Sequence, residues 1–137
     1  MATPYQERKL SEPLLNPGDE PYFAATAQGR LLVKHCTACG ENHHFPRPFC
    51  PFCWSRDVEW LDAKGTGVVL SYSVTRRGAS GPFCMAYVTL DEGPTMMTNI
   101  VDTDLDTVRI GQRVRVVFKT TEGGASIPMF TPVQGDA

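Results

Sequence analysis

Nowhere in these 137 residues does an uninterrupted apolar run approach the roughly 20 that a bilayer-spanning helix needs. A helical membrane span is therefore excluded. Also missing is the continuous apolar region of about ten residues expected of a secretory leader, because the start, up to Leu15, carries Glu7, Arg8, Lys9 and Glu12 between Pro4 and Pro13. The expected location is cytoplasmic. No excess of either charge is present, since 13 Lys and Arg meet 15 Asp and Glu. The sequence has no low-complexity tract, and no internal repeat beyond two short cysteine motifs. It has no glycine loop at a helix start to cradle a phosphate, and no carboxylate pair in a recognisable acid/base arrangement. What is left is a compact chain, 42% apolar and 20% charged, with material for at most two small lobes.

The five cysteines are informative through their spacing. Cys36 and Cys39 form one C-x-x-C, Cys50 and Cys53 form another, and ten residues separate the pairs, while Cys84 stands apart. In a reducing compartment this spacing points to a metal rather than to disulfides, since each tight turn can present two sulfurs to one ion and two turns complete a tetrahedron. The expected ligands are Cys36, Cys39, Cys50 and Cys53, holding one structural Zn2+ per chain. Gly40 supplies conformational freedom to the first knuckle and Pro51 pre-sets the second, where Trp54 stands in place of a second glycine. A closed thiolate shell has no vacant position for water, so the ion builds structure and does no chemistry. The same four sulfurs holding iron would instead make an electron carrier.

Along the chain, proline density blocks a regular helix before Asp19. Leu10, Leu14 and Leu15 there fit either an arm that orders on a partner or a disordered tail. Pro21 to Gln28 reads as a short helix with Asp19 as N-cap and Gly29 just beyond its end. Strands are expected at Arg30 to Lys34 and Val58 to Leu61. After Gly65-Thr66-Gly67, read as a barrel-entry turn, the pattern becomes alternating, with Val68, Leu70, Tyr72 and Val74 on one face. Further strands are expected at Cys84 to Leu90, Thr95 to Val101, Arg113 to Thr121 and Ile127 to Val133. The fold class is thus mainly β: an N-terminal helix, a four-cysteine zinc ribbon, then a small antiparallel β-barrel, with an OB-fold preferred over a two-sheet sandwich. The boundaries read as an arm over 1–18, helix plus ribbon over 19–61, and barrel over 62–137.

Other candidates take structural roles. His35, His43 and His44 read as polar loop residues beside a complete shell, and Phe45, Pro46, Pro48, Phe49 and Phe52 as a miniature core around the metal loop. Cys84 reads as a small buried hydrophobe, because no basic or helix-start setting is visible to activate it. No catalytic residue is expected. Nucleic-acid binding is the competing function, since ribbons and OB-folds both serve it. Against it, four bases between Arg30 and Arg56 face Glu41 but lose charge to the thiolates, and the whole chain carries −2 before any metal is counted.

The order of motifs, from Gly29-Arg30-Leu31 through Cys36-Thr-Ala-Cys39-Gly40, Phe45-Pro46-Arg47, Cys50-Pro51-Phe-Cys53, Trp60 and Gly65-Thr66-Gly67 to Glu92-Gly93-Pro94 and Ile110-Gly111, resembles one family. It is that of OB-fold proteins with a rubredoxin-like zinc ribbon that accompany thiolases and other acyl-CoA enzymes. The likeness spans about Pro21 to Pro132. It implies the same four cysteine ligands and a non-catalytic subunit that bridges a thiolase-like partner and helps to hold coenzyme A or acyl-CoA. The phosphates of that ligand would need cations. Arg47, Lys64, Arg76 and Arg77 are candidates by charge and loop position.

Overall fold

The computed structural model describes residues 2–79 and 81–133; Ser80, within the expected turn after Thr75, and 134–137, the end of the expected barrel segment, lie outside the described residues. One helix, α1 (Glu20–Ala27), precedes a three-stranded antiparallel ribbon of β1 (Leu32–Cys36), β2 (Asn42–His43) and β3 (Val58–Asp62), in the order β2-β1-β3. The remaining strands, β4 (Thr66–Thr75), β5 (Phe83–Leu90), β6 (Thr95–Ile100), β7 (Arg113–Thr120) and β8 (Ser126–Pro132), close a barrel in the order β4-β5-β6-β8-β7. This is an OB-fold, and its closure removes the exposed strand edges. All barrel pairings are antiparallel except the short parallel seam of β6 on β8 at Ile100 and Phe130. No helix among the described residues is long and apolar enough to cross a membrane.

A single apolar core runs through both parts. Tyr22 and Ala25 of α1 and Leu31, Leu32 and Val33 of the ribbon join Val69, Val88, Ile100, Val114 and Phe130 of the barrel. At about 25 cal/mol per Å² of buried apolar surface, such continuity favours a fixed junction over a hinge. Polar ties add to it: Ala63 N–H donates to Leu31 O at 2.8 Å, Asn42 Nδ2 donates to Glu92 O at 3.0 Å, and Lys64 N–H donates to Glu92 Oε2 at 2.9 Å.

Three local expectations are corrected. A β-bulge between Val69 and Ser71 shifts the register of β4, so Val69 faces the core and Leu70 is exposed, against the expected sharing of one inward face by Val68, Leu70, Tyr72 and Val74. Asp19 sits at the N-cap position of α1 but makes no side-chain cap; its Oδ2 accepts from Asn16 N–H at 2.9 Å instead. The N-terminal arm packs on its own barrel. Tyr5 N–H donates to Thr103 O at 3.0 Å, Lys119 Nζ meets Glu7 at 2.8 Å, and Glu12 accepts from Thr121 Oγ1 at 2.6 Å and from Gly123 N–H at 3.1 Å. Leu14, 94% exposed, and Leu15 are the exposed large apolar residues of the arm.

The glycine reading of the barrel entry holds for a steric reason. A Cβ on Gly67 would stand 2.5 Å from Thr89 O, where β4 closes against β5.

Candidate metal centre

The two C-x-x-C turns have the same construction. In the first, Cys36 closes β1, its N–H donates to Glu41 O at 2.9 Å, and Gly40 N–H returns to Cys36 O at 2.9 Å. In the second, Cys50 N–H donates to Ser55 O at 2.8 Å and Trp54 N–H returns to Cys50 O at 2.9 Å. The residue that follows each pair takes the left-handed conformation, with φ of 81° at Gly40 and 67° at Trp54. Glycine adopts it freely, whereas a side chain there costs about 1–2 kcal/mol. The leading cysteine of each pair is buried and the trailing one exposed.

All four sulfurs lie within 4.8 Å of one another, with 3.6 Å between Cys36 and Cys53 and 3.7 Å between Cys39 and Cys50. Zn–S bonds of about 2.3 Å in a tetrahedron require sulfur separations of about 3.8 Å. The donor set therefore fits a tetrahedral thiophilic ion. Amides reinforce the leading sulfurs: Cys39 N–H approaches Cys36 Sγ at 3.5 Å and Phe52 N–H approaches Cys50 Sγ at 3.4 Å. The Cys39 N–H lowers the Cys36 thiol to about 7. Cys39 moves the other way: Glu41 N–H favours its thiolate, but burial and the contacts with Cys50, Cys36 and Cys53 raise it to about 12. Without a cation the cluster resists full ionisation; with one, four thiolates become compatible.

Around the cluster, several expectations change. His43 lies in β2 and is buried, its Nε2 accepting from Arg47 N–H at 3.2 Å while Nδ1 has no partner among the described residues. His44 Nε2 meets the Tyr22 hydroxyl at 2.8 Å, tying the loop to α1, so these two histidines pack rather than project as loop residues. His35 Nδ1 meets Asn42 Oδ1 at 2.6 Å. The expected miniature core is largely outside: Phe45 and Phe52 are exposed, and Trp54, 73% exposed, stacks on Phe49 at 5.4 Å. Cys84 is buried as expected, and burial raises its thiol to about 11.

The four candidate cations do not converge. Arg76 is engaged with Asp106 at 2.7 Å. Lys64 precedes β4 and Arg77 follows it, so a ten-residue strand, about 30 Å long, separates them. Arg47 lines a small cleft of about 40 Å³ that it shares with Lys34, Asp19 and Gly18. Lys34, which no motif in the sequence marks, holds its Nζ 4.2 Å from the centroid of the Trp60 ring. Only the cross-strand pairing of Lys34 with His43 exposes that neighbourhood, and a two-residue strand such as β2 has no periodicity to read.

Residues 23–59 match the ChsH2 rubredoxin-like zinc ribbon domain, and residues 60–119 match the ChsH2 C-terminal OB-fold domain. The chain belongs to the ChsH2 family. It is 34% identical over 124 residues to a probable enoyl-CoA hydratase alpha subunit of Thermomonospora curvata, a match covering 88% of this chain and only 39% of that subunit. A DUF35 domain-containing scaffold protein of Pyrococcus furiosus is 35% identical over 98 residues, covering 66% of this chain and 69% of that protein. The benzoylsuccinyl-CoA thiolase subunit BbsA of Geobacter metallireducens is 29% identical over 91 residues, covering 64% and 61%. Among solved structures, a chain of an Ltp2-ChsH2(DUF35) aldolase superimposes with a TM-score of 0.79 at 34% identity, over 88% of this chain and 98% of that one. This ChsH2-family chain thus has relatives named as scaffolds or as subunits of acyl-CoA enzymes.

Proposed function

We propose that this chain is a non-catalytic accessory subunit of a thiolase-superfamily complex acting on acyl-CoA thioesters, with one structural zinc held by Cys36, Cys39, Cys50 and Cys53. The convergence of the four sulfurs carries the proposal. Four thiolates saturate the ion, so no water is activated and no carbonyl is polarised there. The thiolase-like partner supplies the reacting groups. The names of the scaffold, thiolase-subunit and aldolase relatives support this division of labour.

The proposed division of the chain is an arm over 1–18, helix plus ribbon over 19–61 and barrel over 62–137, and the junction of the two family matches between residues 59 and 60 supports it. Free thiols suit a reducing compartment, which favours the cytoplasm. Coenzyme A phosphates lie much closer together than the ends of β4, so Lys64 and Arg77 do not share one ligand. Arg47 beside Lys34 is the better cationic pair for an acyl-CoA held at the interface with the partner.

The test combines metal analysis with assembly. Purified full-length chain should contain one zinc per chain, be colourless, and co-elute with the co-expressed thiolase-like protein. Chelation of the metal should unfold the ribbon and abolish co-elution. A coloured, redox-active protein, a metal-free one, or independent elution would contradict the proposal.

A further inference from the structure

None of the strands β4, β5 and β6 contains an Asp, Glu, Lys or Arg, whereas β7 alone carries Arg113, Arg115 and Lys119. On the outer side of the barrel, register aligns Ser71 with Tyr87 and Met97, and Ser73 with Met85 and Asn99. Met97 is 58% exposed, Tyr87 49% and Met85 43%, around a shallow depression of about 230 Å³. Soluble surfaces ordinarily carry about a quarter to a third charged residues. Interface centres, in contrast, are depleted in charge and enriched in Tyr and Met. We propose that this face is the docking surface for the partner enzyme, with Tyr87, Met85 and Met97 as its central anchors.

The surroundings favour that occupant over others. OB-folds commonly present this face to nucleic acid, but a phosphate chain needs cations across it and these strands offer none. Two cations border one end, Arg8 at 4.4 Å over the Phe83 ring and Arg77 after β4, and neither has a carboxylate partner among the described residues. They call for acidic groups on whatever docks. A second copy supplies none suited to this: at the opposite end of the face Asp91 is paired with Arg113 and Glu92 accepts from Lys64 N–H. The fitting occupant is therefore a different folded protein, uncharged and apolar opposite Tyr87 and acidic opposite Arg8 and Arg77. Its identity as a thiolase-type enzyme rests on the function proposed above.

Methionine oxidation gives the readout. The probe is the thiolase-type enzyme retained by the tagged full-length chain in its own cells, identified by mass spectrometry and then purified alone. Hydrogen peroxide should oxidise Met85 and Met97 in the free chain and spare both in the complex. Buried Met96 and Met129 serve as internal controls in both states. Tyr87→Glu should raise Kd at least about 30-fold with zinc content and melting unchanged, because a truncated or charged hot spot typically costs 2 kcal/mol or more. Trp54→Ser on the ribbon should leave Kd within about threefold.

Complex formation with Met85 and Met97 still oxidised and Tyr87→Glu neutral would overturn the docking face while leaving the accessory role intact. Absence of any complex with a thiolase-type enzyme would overturn both. Dimerisation of the chain alone, or binding of a single-stranded oligonucleotide, abolished by Tyr87→Glu, would assign the face to another occupant and overturn the proposal.

Discussion

Residues at the ribbon divide into those whose role follows from spacing and those whose role follows from contacts. Cys36, Cys39, Cys50 and Cys53 are of the first kind, since two C-x-x-C turns leave sulfurs few places to go. His44 is of the second kind, because nothing near it in the sequence reveals that its ring meets Tyr22, 22 residues earlier. Burial, with His43 beside it, pushes His44 from 6.5 down to about 4. Between those values the unfolded chain binds a proton that the folded chain does not. This contribution to stability is complete above about pH 6.5 and is lost as pH falls to about 4, by up to about 3 kcal/mol. His44→Phe keeps a ring and removes the titration. Urea unfolding from pH 7 to 4.5 should show the wild type losing more stability than the variant, and metal release in acid is common to both. Equal losses would contradict the assignment.

At the scale of elements, legibility followed regularity. β7 was read correctly because Val114, Val116 and Phe118 alternate without interruption along a strand that pairs evenly with β8. The inward face of β4 differs from its alternating pattern because the bulge at Leu70 shifts the register by one residue, and no glycine or proline at that position announces it. Proline density in the arm correctly denied a helix, but the ion pair of Glu7 with Lys119 spans most of the chain and lies beyond any local pattern. The break between the strands expected up to Leu90 and from Thr95 is legible in the sequence, and the second role of the residues in it is not. Glu92 there receives both Asn42 of the ribbon and the backbone of Lys64, fastening the two parts. Glu92→Ala should lower urea stability by about 1–2 kcal/mol, since Lys64 N–H loses its acceptor, while Glu92→Gln keeps an acceptor and most of the stability. An alanine variant as stable as the wild type would remove Glu92 from the junction.

Over the whole molecule, charge is distributed unevenly in a way that composition conceals. A near balance of acids and bases is compatible with a barrel whose β7 is cationic and whose β4 to β6 are bare of charge. That pattern was present in the sequence, yet it acquires meaning only when register sets the three strands side by side. The four-cysteine ribbon and the barrel share one core, so the molecule offers one continuous body that carries a tetrahedral thiolate site. In the proposed accessory role, such a body has its effect through what it binds. The most direct measurement titrates the purified thiolase-like partner with the zinc-loaded, full-length chain while thioester turnover is followed. The account expects no turnover from the chain alone and a partner rate that rises to a plateau at a fixed stoichiometry. Turnover by the chain alone, or a partner rate indifferent to its addition, would contradict it.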